Sequence, residues 1–154
     1  MAEYRIEAIG RVRGGRAAAE DDDWDASRAR IELDPKRFTA DALLGLDGFS
    51  HAEVLFVFDR VGEGEVEHGA RHPRGRTDWP RVGIFAQRGK NRPGRIGVTM
   101  CRIVGVEGLA VEVEGLDAID GTPVLDIKPV MSGFLPRGEV REPDWAREIM
   151  KDYW

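Results

Sequence analysis

With 154 residues, 42% of them hydrophobic and 33% charged, the chain has room for one domain spanning 1–154 and enough apolar side chains to bury a core. It holds no apolar run long enough for a membrane span and no signal-peptide core after Met1. Its one cysteine, Cys101, excludes an internal disulfide, a cysteine-rich zinc site and a CxxC redox pair. The net charge of −5 argues against a protein that coats nucleic acid, and a soluble cytoplasmic domain is the expectation.

In chain order the pattern is mostly strand. Tyr4 to Arg13 mixes apolar and basic residues at near two-residue spacing, and Ala29, Ile31 and Leu33 alternate with Arg28, Arg30 and Glu32. Thr39 is placed to cap a short helix through Leu46 that Gly48 ends. His51 to Phe58 is rich in β-branched and aromatic residues and predicts a central strand; Val82 to Ala86 predicts another. Ile96 to Val106 and Leu109 to Glu114 flank a turn at Glu107-Gly108 and read as a hairpin. Pro123 to Val130 reads as an edge strand, because Pro123 and Pro129 cannot donate to a ladder. Near the C-terminus Pro143 suits a first helical position, and Trp145, Ile149 and Tyr153 share a face that would cross a barrel mouth or meet a second subunit. The predicted fold class is mainly β: a small closed, non-Rossmann β-barrel of about six to seven strands with short peripheral helices.

The charges are segregated. Eight Lys or Arg lie between Arg71 and Arg95 against one acid, Asp78, so this block carries +7 and the rest of the chain −12. Such a segment is either a solvated arginine-rich loop or a footprint for an anionic partner. It overlaps an aperiodic stretch, Arg60 to Pro80, of a length that in compact domains is usually functional or disordered.

Several chemistries find no support. There is no GxGxxG after a strand and no P-loop, since Gly89-Lys90 is followed by Asn91. Asp117 and Asp120 are separated by two residues, which excludes an aspartyl-phosphate motif. His68 and His72 have metal-ligand spacing for a helix, but Gly69, Pro73 and Gly75 argue against a helix there, so no metal is expected. His51 reads as a structural histidine and Cys101 as a small buried hydrophobe. Two segments stand out. Arg88 to Gly97 carries four cations in eight residues among glycines and a proline, suited to bringing guanidinium groups and backbone N–H groups to an anion. Gly115 to Pro129 packs three aspartates and a lysine around a turn; Asp120-Gly121 alone would be a hairpin turn.

These segments carry a resemblance. Gly83-Ile-Phe-Ala-Gln-Arg88, Arg92-Pro-Gly-Arg-Ile-Gly97 and above all Leu116-Asp-Ala-Ile-Asp-Gly-Thr-Pro-Val-Leu-Asp-Ile-Lys-Pro129 closely resemble the TsaA-like (TrmO-type) family of S-adenosylmethionine-dependent tRNA methyltransferases. Ile9 to Val12, Gly45 to His51 and Leu55 to Phe58 fit in the same order, so the resemblance covers nearly the whole chain. It implies a small β-barrel, usually a homodimer, that binds S-adenosylmethionine and methylates N6 of a threonylcarbamoyl-modified adenosine beside the tRNA anticodon. Cofactor contacts would fall on Asp59, Arg60, Arg88, Val98 and the turn Asp117, Ala118, Ile119 and Asp120. An earlier loop would add Asp22, Asp23 and Trp24, with Trp24 stacking on adenine. Asp126 and Lys128, two apart on one strand face, would orient the acceptor or relay its proton; a surface ion pair is the alternative. Arg71, Arg74, Arg76, Arg81, Lys90, Arg92 and Arg95 would hold tRNA phosphates, so that replacing Arg74 and Arg76 would weaken RNA binding. The rival readings are a methyltransferase for a small molecule or other nucleotide, and a non-catalytic module that binds adenosylmethionine or a nucleotide.

Overall fold

Short runs in which small apolar residues alternate with charged ones wind this chain into a closed antiparallel barrel. The computed structural model describes residues 1–154. Six strands form the barrel: β1 (Gly10–Arg13), β2 (Arg28–Leu33), β3 (His51–Val57), β6 (Ile96–Glu107), β7 (Ala110–Glu114) and β8 (Pro123–Pro129), in the order β1-β2-β7-β6-β3-β8 with β8 closing on β1. Two further strands, β4 (Ala70–Arg71) and β5 (Val82–Gly83), make a separate ribbon inside the long connection from β3 to β6.

Strand alternation fills the interior. β3 turns Ala52, Val54 and Phe56 inward, β2 turns Ala29, Ile31 and Leu33, and β7 turns Val111 and Val113; Val12 and Val124 complete the ring. The outward residues pair across strands. Arg30 and Glu112 lie directly opposite one another and form an ion pair at 2.9 Å. Gly10 and Gly97 mark where the barrel is tightest. A Cβ on Gly10 would lie 2.1 Å from the Glu32 carbonyl oxygen, and one on Gly97 would lie 2.4 Å from the Phe56 ring.

The topology decides where function can gather. Because neighbours are antiparallel, the connections β1 to β2, β3 to β6 and β7 to β8 all emerge at one end of the barrel. The acidic loop before β2, the arginine-rich connection and the aspartate turn therefore share that end. The β2 to β3 connection and the Glu107–Ala110 hairpin lie at the other.

The structure corrects several sequence expectations. The first strand begins only at Gly10, and Tyr4 and Ile6 are exposed. In place of a helix over Thr39 to Leu46 there are two 3-10 turns, Ala40–Leu43 and Leu46–Gly48, divided by Gly45 at φ 86°. That left-handed residue interrupts any α-helical ladder. Only Val82–Gly83 of the next predicted strand pairs, after which Ile84–Ala86 turns. β8 is not an edge strand: it lies between β1 and β3, and its two prolines sit at its ends, where a missing N–H interrupts no interior ladder. The C-terminal helix α1 (Asp144–Met150) takes Pro143 as its N-cap and stops before Tyr153.

Cys101 faces the core at 2% exposure, and burial beside Asp117 pushes its thiol up to about 12 from 9.0. The folded chain thus holds this proton more tightly than the unfolded one, and its contribution to stability is lost as pH rises from about 9 toward 12. The urea midpoint should fall between pH 8 and pH 10.5, by less in Cys101→Ala than in the parent. Iodoacetamide should modify the thiol only once the barrel unfolds.

Candidate functional site

At the shared end of the barrel the polar side chains converge on Asp117. Thr99, an inward residue of β6, donates its hydroxyl to Asp117 Oδ1, and Tyr153 donates its phenol to Oδ2. Burial and the adjacent Asp117 carboxylate hold the Tyr153 phenol well above its ordinary pKa, so it stays a donor; Arg74 and Arg88 lie near enough to oppose that rise. Arg88 Nη2 donates to the Val98 carbonyl at 2.8 Å, one residue from Thr99. The arginine and aspartate segments thus meet around Val98, Thr99 and Tyr153.

A second cluster adjoins the first. Arg60 follows β3 and donates to the carbonyls of Ala17 and Asp120, both at 3.3 Å. The Asp120 carboxylate accepts the Gly14 N–H at 2.9 Å, tying the aspartate turn to the end of β1. Asp59 is exposed beside Arg60. Ala118 is buried and Ile119 half-buried, so the turn presents its polar members and packs its apolar ones.

The acidic loop is built differently from what stacking on adenine would require. Trp24 is 3% exposed, its indole N–H donates to the Glu20 carbonyl at 3.0 Å, and the Arg16 guanidinium lies 4.2 Å over its ring. Arg16 also donates to the carbonyls of Asp22 and Asp23. The backbone of Asp23 and Trp24 bonds to the carbonyls of Asp152 and Tyr153 at 2.9 and 2.8 Å. Trp24 therefore serves as a wall that seats the C-terminal segment, and that segment brings Tyr153 to Asp117. Trp79 adds another tie, donating its indole N–H to Glu148 of α1 at 2.7 Å.

The basic residues divide by what they bond. Arg74 is paired with Asp22 at 2.9 Å, and Arg76 is paired with Asp78 while stacking on Trp79 at 3.8 Å. These two charges are cancelled within the chain. Arg92 and Arg95 donate instead to the carbonyls of Gln87 and Val61, at 2.7 and 2.8 Å, which positions them but leaves their charge. Arg81 and Lys90 are exposed. Arg71 Nε is buried without a partner, and its guanidinium lies so close to Gly89 that a Cβ there would be 2.7 Å away. Three non-glycine residues take positive φ: Asp23 at 62°, Arg74 at 50° and Arg95 at 48°. All three lie in connections at this end, where stored backbone strain commonly accompanies function.

Asp126 and Lys128 form an ion pair on β8, with side chains 44% and 56% exposed, and Asp126 also accepts the Ile127 N–H at 2.9 Å. Lys128 lies opposite Glu53, toward the end of the barrel away from Asp117. Sequence reasoning missed Thr99 and Tyr153. Thr99 had a signal, a polar residue between inward Gly97 and Cys101, whereas nothing in the helix pattern marked Tyr153 as a partner of Asp117.

Comparison with known proteins names this arrangement. The closed six-stranded barrel with polar connections gathered at one end belongs to a known class of domain, and residues 19–134 match the model of the tRNA-methyltransferase O N-terminal domain. The chain belongs to that family. A mouse tRNA (adenine(37)-N6)-methyltransferase is 42% identical over 93 residues, covering 60% of this chain and 21% of the mouse protein. A putative S-adenosylmethionine-dependent methyltransferase of Pseudomonas aeruginosa is 40% identical over 106 residues, covering 68% of this chain and 45% of that protein. The crystal structure of TrmO from P. aeruginosa superposes with a TM-score of 0.73 at 28% identity, covering 94% of this chain and 62% of that one. The chain thus spans between about a fifth and a half of the length of these curated relatives. Tyr153 and Trp154 lie beyond the matched family segment.

Proposed function

We propose that this chain is one barrel domain that binds S-adenosylmethionine and transfers its methyl group to N6 of an adenine in tRNA, the threonylcarbamoyl-modified adenosine beside the anticodon. The observation that carries the reading is the convergence of Asp117, Thr99, Tyr153, Arg88 and Val98 at the barrel end where Arg60 and Asp120 also meet. Family membership and the names of the relatives support the chemistry.

The donor set fits such a cofactor. Asp117 and Asp59 offer acceptors to an ammonium group or ribose hydroxyls, exposed Arg88 offers a guanidinium to a carboxylate, and half-buried Val98 offers an apolar surface. When bound, the group would supply an electrophilic methyl carbon on a sulfonium, which would pass to N6 as the carbon–sulfur bond breaks, leaving a neutral thioether and releasing the N6 proton to water. The chain's own part is to hold geometry and exclude water. Thr99 and Tyr153 fix both oxygens of Asp117, Arg60 holds the turn at Asp120, and Asp22, Asp23 and Trp24 back the wall. Asp126, level with Val98 across β3 and paired with Lys128, would orient the acceptor along the barrel wall.

For the RNA we propose a footprint weighted toward residues whose charge is free. Arg81→Ala with Lys90→Ala should reduce the slope of log K against log salt by about 2, one for each phosphate no longer neutralised, with adenosylmethionine affinity unchanged. Arg74→Ala and Arg76→Ala should change the slope much less, since Asp22 and Asp78 already neutralise them. Filter binding at several salt concentrations measures both. We also propose a cytoplasmic homodimer. Exposed Met100, Met131 and Phe134 border a hollow of about 220 Å³ that a second copy would cover, and light scattering reads the mass directly.

The deciding experiment is calorimetry with adenosylmethionine followed by methyl transfer to bulk tRNA with and without the threonylcarbamoyl group. Transfer that requires the modification supports the reading. Binding without transfer would leave the sensing module in its place.

A further inference from the structure

A second cavity of about 300 Å³ lies in the barrel wall, lined by Asp25, His51, Met100, Arg102, Glu114 and Trp154 among others. It is at the lower end of the ~300–1,000 Å³ range of small-ligand sites. Three chain segments divide their residues between this cavity and the cluster at Asp117. Trp24 seats Tyr153 while Asp25 lines the cavity; Gly115 lines the cavity while Asp117 binds Tyr153; Tyr153 meets Asp117 while Trp154 lines the cavity. The cavity and the cluster therefore share one partition, and the rings of Tyr153 and Trp154 meet edge to face across it at 4.9 Å.

The lining has a definite chemistry. Trp154 is 48% exposed, so ring surface remains open to a ligand. Arg102 donates to Asp25 Oδ1 at 2.8 Å and to the Asp25 carbonyl at 2.6 Å, and lies 3.8 Å from Glu114. This fixes both carboxylates while leaving them further lone pairs. Two acids line the cavity against one arginine, with Arg28 outside the lining 3.9 Å from Glu114, which favours a neutral group with N–H donors over an anion. Gly115, at φ 80°, keeps the floor open beside Asp25 and Arg102. The Cys101 thiol, buried and strongly held as the protonated form, offers no nucleophile.

We propose that this cavity seats an unpaired nucleobase flanking the acceptor in the RNA, stacked on Trp154 and read through its exocyclic amine by Asp25 and Glu114. An aromatic face with hydrogen-bond groups at its rim is how proteins hold splayed single-stranded bases. Amine-bearing bases are preferred and uracil is disfavoured, because uracil has no exocyclic amine and flanks its single N3–H with two carbonyls that would face the carboxylates. The inference rests on the RNA-methyltransferase reading for its purpose, and on the cavity alone for its chemistry.

The test uses the full chain, with AMP, CMP and UMP as probes and the Trp154 indole N–H followed by NMR, assigned by its loss in Trp154→Phe. AMP and CMP should move that signal and bind several-fold more tightly than UMP, and Asp25→Asn should reduce the difference. Trp154→Ala should raise the KM for tRNA about tenfold, with Trp154→Phe recovering most of it, while adenosylmethionine affinity stays within about twofold. A Trp154 signal unmoved by every nucleotide, or equal binding of UMP and AMP, overturns the proposal. The nucleotide titration needs no methyl donor. Failure to bind adenosylmethionine would therefore refute the enzyme reading without deciding this one.

Discussion

Gly10→Ala should destabilise the barrel by at least the ~1–3 kcal/mol typical of overpacking, enough to leave much of a marginal domain unfolded. The reason is positional. Gly10 lies opposite Leu33 on β2 and beside Val124 on β8, where the closing strands come together. A methyl group there would meet the Glu32 carbonyl oxygen at 2.1 Å and the Leu33 Cα at 2.9 Å, and all of these atoms are backbone. No rotamer change relieves that clash; β1 would have to separate from β2. Gly97→Ala provides the comparison, since its nearest neighbour is a side chain, the Phe56 ring at 2.4 Å. Phe56 is 2% exposed and stacked edge to face on Phe58, so the ring cannot leave freely. Trimming it in Phe56→Leu should recover part of the loss in Gly97→Ala and none of the loss in Gly10→Ala. Urea unfolding of the single and combined variants measures this, and full stability in Gly10→Ala would mean that the strands are not so closely coiled.

The barrel was legible in the sequence because its strands are half-buried and their alternation survives on the page. Ala29, Ile31 and Leu33, and likewise Val111 and Val113, point inward as their spacing implies. Failures came where tertiary contacts override local signals. Pro123 and Pro129 suggested an edge, but ring closure removes edges and places the prolines at strand ends. Tyr4 to Ile9 alternates well enough, yet both ladders of β1 stop at Gly10, and of this segment only Ile9 bonds to the neighbouring backbone, to Val124 and Asp34. In the site, the types of residue were legible and their partners were not. The block from Arg71 to Arg95 reads as a uniform positive patch, whereas the fold neutralises Arg74 and Arg76 with acids and ties Arg92 and Arg95 to carbonyls. Such pairing depends on long-range contact: Arg74 finds Asp22 only because both connections leave the same end of the barrel.

Asp117→Ala should weaken adenosylmethionine binding about 10- to 100-fold and reduce methyl transfer with it, given the ~1.5–3 kcal/mol of a hydrogen bond to a charged group. Asp117 is singled out because both of its oxygens are held from within the chain, by Thr99 and by Tyr153, so its remaining lone pairs are aimed before any ligand arrives. Tyr153 then acts as a positioning residue. Tyr153→Phe should cost several-fold in affinity in the parent chain and almost nothing in Asp117→Ala, because its effect passes through the carboxylate. Burial and the adjacent carboxylate raise the phenol's pKa, so the hydroxyl keeps its proton well above the pH at which an exposed tyrosine loses it. Affinity should accordingly show no loss from this group up to about pH 10, whereas an unperturbed phenol would be half ionised there. Calorimetry on the four members of the cycle separates the possibilities. If the losses in Asp117→Ala and Tyr153→Phe simply added, Tyr153 would be making its own contact with the ligand; if neither variant lost affinity, the ligand would lie elsewhere on the barrel.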